Sequence, residues 1–170
     1  SVILYIQLLQ TSIYFGYAMG VAPIISYKYG ANDTKGLNNV LNISFKFTAI
    51  VSALVIAFSL LFGEFAISIF INRSSDTFAM AVNGLKIFSI AYLFMGVNVF
   101  MSAMFTALSN GKISAILSLT RTLVFLVGFL VLLPYFLHLN GVWLAVPLAE
   151  LMACILSIYY FSKGKVNYGL

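Results

Sequence analysis

The sequence predicts an all-α protein that crosses a membrane about five times. Of its 170 residues, 62% are hydrophobic and 8% are charged, whereas a soluble domain has about 25% charged residues. Long stretches also contain no Asp, Glu, Lys or Arg, namely residues 1–27, 47–63 and 87–111. Because a helix rises about 1.5 Å per residue, about 20 apolar residues cross the hydrocarbon core once. This composition excludes a soluble globular fold.

Apolar segments separated by polar turns predict the individual helices. The predicted helices cover residues 2–25, 37–62, 85–108, 113–133 and 142–161. A glycine-bounded polar loop at residues 28–36 separates the first two, and a tight turn at residues 109–112 separates the third and fourth. The amphipathic stretch at residues 64–83 is predicted to be a loop with a short surface helix, and Pro134 is predicted to end the fourth helix. The single cysteine, Cys154, is predicted to be a small core residue.

The positions of the basic residues predict the orientation of the chain in the membrane. Helices that alternate in direction divide these residues between two sides. One side has Lys28, Lys35, Lys46, Lys112, Lys163 and Lys165, and the other has Arg73 and Lys86. The positive-inside rule places the lysine-rich side in the cytoplasm, which predicts a cytoplasmic C-terminus in a multi-pass protein of the cell membrane. The net charge of +5 arises because Lys and Arg lie mostly at helix ends, so it does not indicate nucleic acid as a partner.

Three segments together resemble one transporter family. Residues 20–31, GVAPIISYKYGA, resemble the end of the eighth helix of multidrug and toxic compound extrusion (MATE) transporters. Residues 102–112, SAMFTALSNGK, followed by residues 118–121, SLTR, resemble that family's connection between helices ten and eleven. Residues 141–150, GVWLAVPLAE, resemble the start of its twelfth helix. The segments keep the order and spacing of the family and span nearly the whole chain.

The resemblance implies both an architecture and a function. MATE transporters have twelve helices in two similar six-helix lobes with a substrate path between them, so residues 1–170 correspond to helices eight to twelve of the C-terminal lobe. The chain begins with Ser rather than Met, which agrees with a piece of a longer protein that also has helix seven and an N-terminal lobe. The implied function is cation-coupled antiport, with H⁺ or Na⁺ as the coupling ion, that exports small organic cations by alternating access. We expect this piece to be inactive alone.

Two other functions are open at this stage. The chain could be part of a lipid-linked oligosaccharide flippase of related architecture, or a membrane scaffold that does not transport. A cavity for a lipid phosphate would need several intramembrane cations, and we expect only Arg121 to serve as one. No nucleotide-binding motif, metal-ligand cluster or hydrolytic triad occurs, so we expect no enzyme activity, no cofactor and no metal site.

Two charged residues inside the predicted helices are candidates for the transport path. Glu150 is the only acid deep in a helix, where a charge costs about 2.5–3.5 kcal/mol, so it needs a partner, a proton or a polar cavity. It is either a proton or cation relay or a structural hydrogen-bonding anchor. Arg121 lies at a similar predicted depth on the neighbouring helix and is the candidate partner, unless it extends to the cytoplasmic surface.

Two uncharged residues complete the set of candidates. Asn98 lies mid-helix at a position where the resemblance implies a cation-coupling aspartate in some branches of the family. Asparagine cannot titrate, so either coupling lies in the other lobe or Asn98 bonds neighbouring helices. Pro23 is a candidate for a bend used in gating, because proline frees a backbone carbonyl. The Gly16–Gly20 pair is a GxxxG pattern, which predicts close helix packing inside the bundle.

Overall fold

The computed structural model describes residues 2–164 and residue 168, and it is helical over nearly all of this part. The elements are α1 (Val2–Gly30), α2 (Thr34–Ser68), α3 (Asp76–Ser89), α4 (Tyr92–Ala107), α5 (Gly111–Leu119), a π-helical turn (Thr120–Leu126) and α6 (Val127–Gly164). Within α6, His138 has φ 49° and ψ −129°, values that no α-helix contains. The chain reverses there, so α6 consists of an outgoing arm, residues 127–137, and a return arm, residues 139–164.

By length and composition, the described residues contain three candidate membrane spans, or four if the bent α3–α4 pair is one span. Gln7–Gly30, Thr34–Ser68 and Gly111–Gly164 are long and apolar enough to span a membrane, and the last of these contains 54 residues. It supplies two crossings because it turns back at His138. The helices α3 and α4 meet at a bend of 48° and together form one broken span. The predicted fold class, an all-α membrane protein with five transmembrane helices, is confirmed.

The helix boundaries differ from the predicted ones where local capping decides them. The Asp33 carboxylate accepts a hydrogen bond from the Gly36 N–H at 2.8 Å, so α2 begins at Thr34 and the predicted loop shrinks to three residues. Ser75 caps α3 by accepting from the Thr77 N–H at 3.2 Å, so the third span begins at Asp76. The Asp33 cap is also charged, because Lys28 donates a hydrogen bond to the Asp33 carboxylate at 2.7 Å. The hydrogen bond from Lys28 and the one from the Gly36 N–H both lower the pKa of the Asp33 carboxyl.

Both prolines near predicted helix ends lie inside helices. Helix α1 continues through Pro23 to Gly30, and α6 continues through Pro134 to residue 137. The prediction that Pro134 ends the fourth helix is therefore wrong. Proline removes one backbone donor but is tolerated in membrane helices, where the freed groups find other partners. The reversal occurs at His138 instead, where the backbone of Gly141 approaches that of Leu133 and leaves no space for a Cβ atom.

Helices α1 and α2 are joined by a ladder of hydrogen bonds across their interface. Gln10 Nε2 donates to Ser59 Oγ at 2.8 Å, the Tyr14 and Ser52 hydroxyls are 3.1 Å apart, and Tyr17 Oη donates to Ser44 Oγ at 3.0 Å. The serines lie on one buried stripe of α2 that also contains Thr48 and Gly63. Small residues let membrane helices approach closely, and polar groups bond across the contact. The stripe therefore fixes how the first two spans pack.

The GxxxG pattern is not used for packing within the part that the structure describes. Gly16 and Gly20 are exposed, and nothing lies within 4 Å of where a Cβ atom would stand on either residue. The close approaches occur at other glycines: Tyr14 packs on Gly96, and the Trp143 ring packs on Gly84. The prediction of a GxxxG contact inside the bundle is wrong, because the pattern faces away from α2 and α4.

The central helix is α4, which packs against α1, α2, α5 and α6. The buried core includes its residues Met95, Val99, Phe100 and Met104. Cys154 on α6 is also buried in the core, as predicted. The turns group at two ends of the molecule. At one end Asn110 donates to Tyr168 Oη at 2.7 Å, and at the other Asn83 donates to Asn140 at 3.3 Å.

The basic residues divide between these two ends as the sequence predicts, except that Lys46 is the thirteenth residue of α2 and does not lie at a helix end. The end that contains Asn110 and Tyr168 also has Lys28, Lys35, Lys112 and Lys163 near the termini of their helices. Arg73 and Lys86 lie on or beside α3 at the other end. Lys165, which the sequence places with the first group, lies outside the described residues.

Candidate functional site

A cavity of about 440 Å³ opens between α1, the α3–α4 span, the π-helical turn and α6. Its wall is mostly apolar, with the aromatic rings of Phe88 and Trp143 among its lining residues. Polar and charged side chains also line it: Gln7, Thr11, Arg121, Thr122 and Glu150. A large apolar pocket with a few converging polar groups is the usual form of a small-molecule site.

Glu150 is the buried anion of this cavity, with 7% of its surface exposed. Asn98 Nδ2 donates to Glu150 Oε2 at 2.6 Å and to the Glu150 backbone carbonyl at 2.8 Å. Arg121 Nη1 lies 3.8 Å from the same Oε2 atom. We call these three residues the Glu150 cluster. A carboxylate in a membrane interior needs both a counter-charge and hydrogen-bond donors, and the cluster supplies them.

Each member of the Glu150 cluster comes from a different element. Glu150 lies on the return arm of α6, and Asn98 lies mid-way along α4. Arg121 is the second residue of the π-helical turn, whose wider winding changes the direction of the side chains that follow α5. Such turns occur frequently at functional sites. The predicted proximity of Arg121 to Glu150 holds in the structure, and Asn98, which the sequence left unconnected, joins them.

Pro23 does not belong to this site. Its side chain is exposed on α1, and it lines neither the cavity nor the Glu150 cluster. Helix α1 is continuous through it. The sequence predicted Pro23 as a gating bend on its residue type alone, and the structure separates it from the three other candidates.

Sequence reasoning missed several polar residues around the cluster. The π-helical turn has no signal in the sequence. Gln7 and Thr11 are four residues apart on the charge-free first span, and this helical spacing of polar residues could have identified them. Trp143 Nε1 is buried and has no hydrogen-bond partner within residues 2–164 and 168. The Trp143 side chain is one of the residues that line the cavity.

Comparison with known proteins identifies the family. The sequence pattern that defines the MatE family matches residues 1–132, more than half of the chain. The chain belongs to the MatE family. A search of curated protein sequences finds no match.

Solved MATE transporters share the fold of this chain over almost its full length. An outward-facing multidrug resistance MATE transporter of the MOP superfamily superposes with a TM-score of 0.90 at 22% identity, over 99% of this chain and 38% of its own. An inward-facing structure gives 0.89 at 22% identity, over 98% and 39%. The MATE multidrug transporter DinF-BH gives 0.88 at 26% identity, over 97% and 37%. The chain therefore has a MATE fold and spans less than two fifths of these transporters.

Proposed function

We propose that this MATE chain forms most of the C-terminal lobe of a cation-coupled multidrug efflux antiporter, which exports small organic cations by alternating access. The observation that carries the proposal is a buried carboxylate, Glu150, on the wall of an apolar cavity of about 440 Å³. A cationic substrate needs an anion to bind, and an apolar, partly aromatic wall suits its organic body.

The Glu150 cluster supports exchange of one cation for another. A carboxylate in a membrane interior must be neutralised in every state of the transport cycle. Three groups can do this here, namely Arg121, a proton and a cationic substrate. Arg121 Nη1 lies 3.8 Å from Oε2, beyond hydrogen-bond distance, so it can give way to either competitor. Because one carboxylate holds one charge, binding of substrate and binding of the proton exclude each other, which is the requirement for antiport.

The surroundings of the carboxylate favour H⁺ over Na⁺ as the coupling ion. Sodium is a hard cation that needs several oxygen ligands, as the other hard cations do. In the Glu150 cluster, Oε2 faces the Asn98 amide N–H and the Arg121 guanidinium, which are both donors. A proton needs a single oxygen, which the carboxylate provides. This assigns a coupling role to Glu150 itself, although the resemblance implies that some branches of the family carry the coupling aspartate at the position of Asn98.

Rigid movement of the lobe supports alternating access. The chain matches an outward-facing and an inward-facing transporter almost equally well, with TM-scores of 0.90 and 0.89. A lobe whose internal arrangement suits both states can rotate as a unit against a second lobe around a central site. The same comparison supports the proposal that this chain requires an N-terminal lobe and a seventh helix, and that it does not transport alone. We place the transporter in the cell membrane with the lysine-rich end, and so the C-terminus, in the cytoplasm.

The two alternative functions have less support. Among the described residues that line the cavity, Arg121 is the only cation, and an anionic lipid phosphate would need more. A scaffold has no need for a buried anion beside a large cavity.

The test is transport by the complete protein in liposomes with an imposed pH gradient. We expect gradient-dependent movement of a fluorescent cationic dye such as ethidium, which collapse of the gradient abolishes. The variant Glu150→Gln should bind dye weakly and lose coupled transport, because it removes the only charge that the proton and the dye share. Glu64→Gln, at an exposed acid near the end of α2, is the matched control and should behave like the wild type. Coupled transport that persists in Glu150→Gln would refute the role of Glu150.

Two further arms separate the remaining possibilities. The 170-residue chain alone should show no gradient-dependent transport. With the complete protein, a sodium gradient in place of the pH gradient should drive no dye transport. Dye transport that depends on sodium alone would refute H⁺ as the coupling ion.

A further inference from the structure

A small void, lined by polar side chains and by Leu117 and Ala153, shares Arg121 with the cavity. It measures about 10 Å³, close to the volume that one water molecule needs. Five polar side chains from four elements line it: Asn98, Ser102, Ser118, Arg121 and Ser157. Asn98 and Ser157 are 4% and 2% exposed, Ser102 and Arg121 are half-buried, and Ser118 is exposed, so the void has a buried polar floor and an exposed edge. Water occupies a buried space when it finds two to four polar partners, and here five surround it.

Hydroxyl groups continue from this void toward the end of the lobe that contains Asn110. Ser118 Oγ and Ser102 Oγ are 2.8 Å apart, and Ser102 Oγ and Ser114 Oγ are 3.0 Å apart. Thr106 Oγ1 donates to Ser114 Oγ at 2.8 Å, and Thr106 is exposed. We call Ser118, Ser102, Ser114 and Thr106 the hydroxyl ladder. Its residues recur every four positions on α4 and on α5, so they lie on facing stripes of the two helices.

We propose that the void is a water site, and that its water and the hydroxyl ladder carry protons between the Glu150 cluster and the lysine-rich end of the lobe. This inference rests on the proposed role of Glu150 as the group that binds the coupling proton. A hydroxyl group both donates and accepts, so a row of hydroxyls at 2.8–3.0 Å can pass a proton along its length.

Arg121 is the group that separates the two routes. It lines both the void and the cavity, and together with Asn98 it holds the Glu150 carboxylate. Movement of this one side chain away from Oε2 brings the water of the void to the carboxylate. Substrate thus arrives through the apolar cavity, whereas protons arrive through the hydroxyl ladder. The two competitors for Glu150 thus use separate spaces that share Arg121 as a lining residue.

The proton balance of this route is simple. One proton enters at Thr106, each oxygen in turn binds one proton and releases another, and one proton remains on Glu150. No ladder residue changes its charge, and Arg121 stays protonated throughout. The titratable side chains near Glu150 are Arg121 of the π-helical turn and Cys154 of α6. The other polar neighbours, Gln7 and Thr11 of α1 and Asn98 of α4, do not titrate.

Two alanines allow the void and the cavity to be tested separately. Ala153 lines the void and Ala149 lines the cavity, one helical turn apart on the return arm of α6. Ala153→Val should fill the water site without removing any polar group. Ala149→Val is the matched control, because it adds the same two methyl groups on the cavity side.

The experiment uses the complete transporter in liposomes and follows the infrared carboxyl band of Glu150 after a rapid pH jump. We expect Ala153→Val to slow proton binding several-fold at unchanged affinity for the cationic dye, and Ala149→Val to weaken dye binding at an unchanged proton rate. Ser118→Ala should also slow proton binding, so the test stands if Ala153→Val does not fold. Ser12→Ala, which changes an exposed hydroxyl that bonds only its own helix, should have no effect.

The outcomes distinguish this inference from the proposed function. If the wild type has no titrating Glu150 band, the proposed function fails, whatever the void contains. If Glu150 titrates and both Ala153→Val and Ser118→Ala bind protons at the wild-type rate, the ladder route fails alone. A high-resolution structure should show water density in the void, and an empty void would also overturn the water site.

Discussion

At the scale of single residues, the proposed function depends on one carboxylate and the two side chains that hold it. Glu150 has 9% of its side chain exposed and Arg121 has 26%, so their ion pair is partly shielded from solvent. Shielded pairs couple more strongly than surface pairs, because removing one partner leaves the other charge uncompensated. The similar depths of Arg121 and Glu150 in neighbouring helices predicted their contact from the sequence. The contact of Asn98 with Glu150 depends instead on how α4 packs against α6.

The Arg121–Glu150 pair makes a double-mutant cycle informative. We expect Arg121→Gln and Glu150→Gln each to destabilise the bundle, and the double variant to be more stable than their sum by about 0.5–3 kcal/mol. The measurement is the free energy of unfolding of the complete protein in detergent micelles. Pairing Glu150→Gln with Lys112→Gln, at an exposed lysine on α5, is the control and should be additive. Additivity in the Arg121 cycle as well would mean that the two charges do not interact.

At the scale of elements, two irregular segments create the site. The π-helical turn aims Arg121 toward α6, and the break at His138 returns α6 so that Glu150 faces the turn. Without the reversal, residues 121 and 150 on one straight helix would stand about 40 Å apart. The tightness of this hairpin depends on Gly141, where a Cβ atom would collide with the backbone of Leu133 and Pro134.

The hairpin predicts opposite effects of alanine at two glycines of α6. Gly141→Ala should destabilise the protein by about 1–3 kcal/mol, because the colliding atoms are backbone and cannot move aside as a flexible side chain can. Gly128→Ala, where nothing lies within 4 Å, should be neutral or stabilise the outgoing arm by up to about 1 kcal/mol. Chemical unfolding in micelles measures both. A Gly141→Ala protein as stable as Gly128→Ala would show that the turn adjusts without strain.

At the scale of the whole molecule, the two ends of the bundle differ in charge, and this difference predicts orientation. Lys28, Lys35, Lys112 and Lys163 lie at one end, and Arg73 and Lys86 lie at the other. Short loops rich in Lys and Arg stay on the cytoplasmic side of a membrane, so the lysine-rich end should face inward. The proposed proton route then opens to the cytoplasm at Thr106.

Cysteine labelling tests this orientation. In a Cys154→Ala background, a cysteine at Ser75, which caps α3, should react with a membrane-impermeant maleimide added outside intact cells. A cysteine at Asn110, at the opposite end, should react only after the membrane is permeabilised. The reverse pattern would invert the orientation and with it the side from which protons reach Glu150.

The sequence by itself determined the class of the fold, the number of crossings, the family and the two charged residues of the site. Hydrophobic length and the positions of charges fix the fold class and single out the two charged residues, because the bilayer penalises each buried charge and each unbonded backbone group wherever the helices pack. The family followed from the resemblance of three ordered segments. Helix ends were predicted less well, since caps such as Asp33 and the tolerated Pro134 depend on local bonds.

Only the tertiary structure decided which polar residues share a space. Asn98 reaches Glu150, the Ser102 and Ser118 hydroxyls meet across α4 and α5, and Pro23 stands apart from them all. These contacts depend on the rotation of each helix about its axis, and two of those rotations are set by the π-helical turn and by the reversal at His138. The π-helical turn does not follow from hydrophobic pattern or charge, whereas the reversal falls in the gap that the sequence left between its fourth and fifth predicted helices.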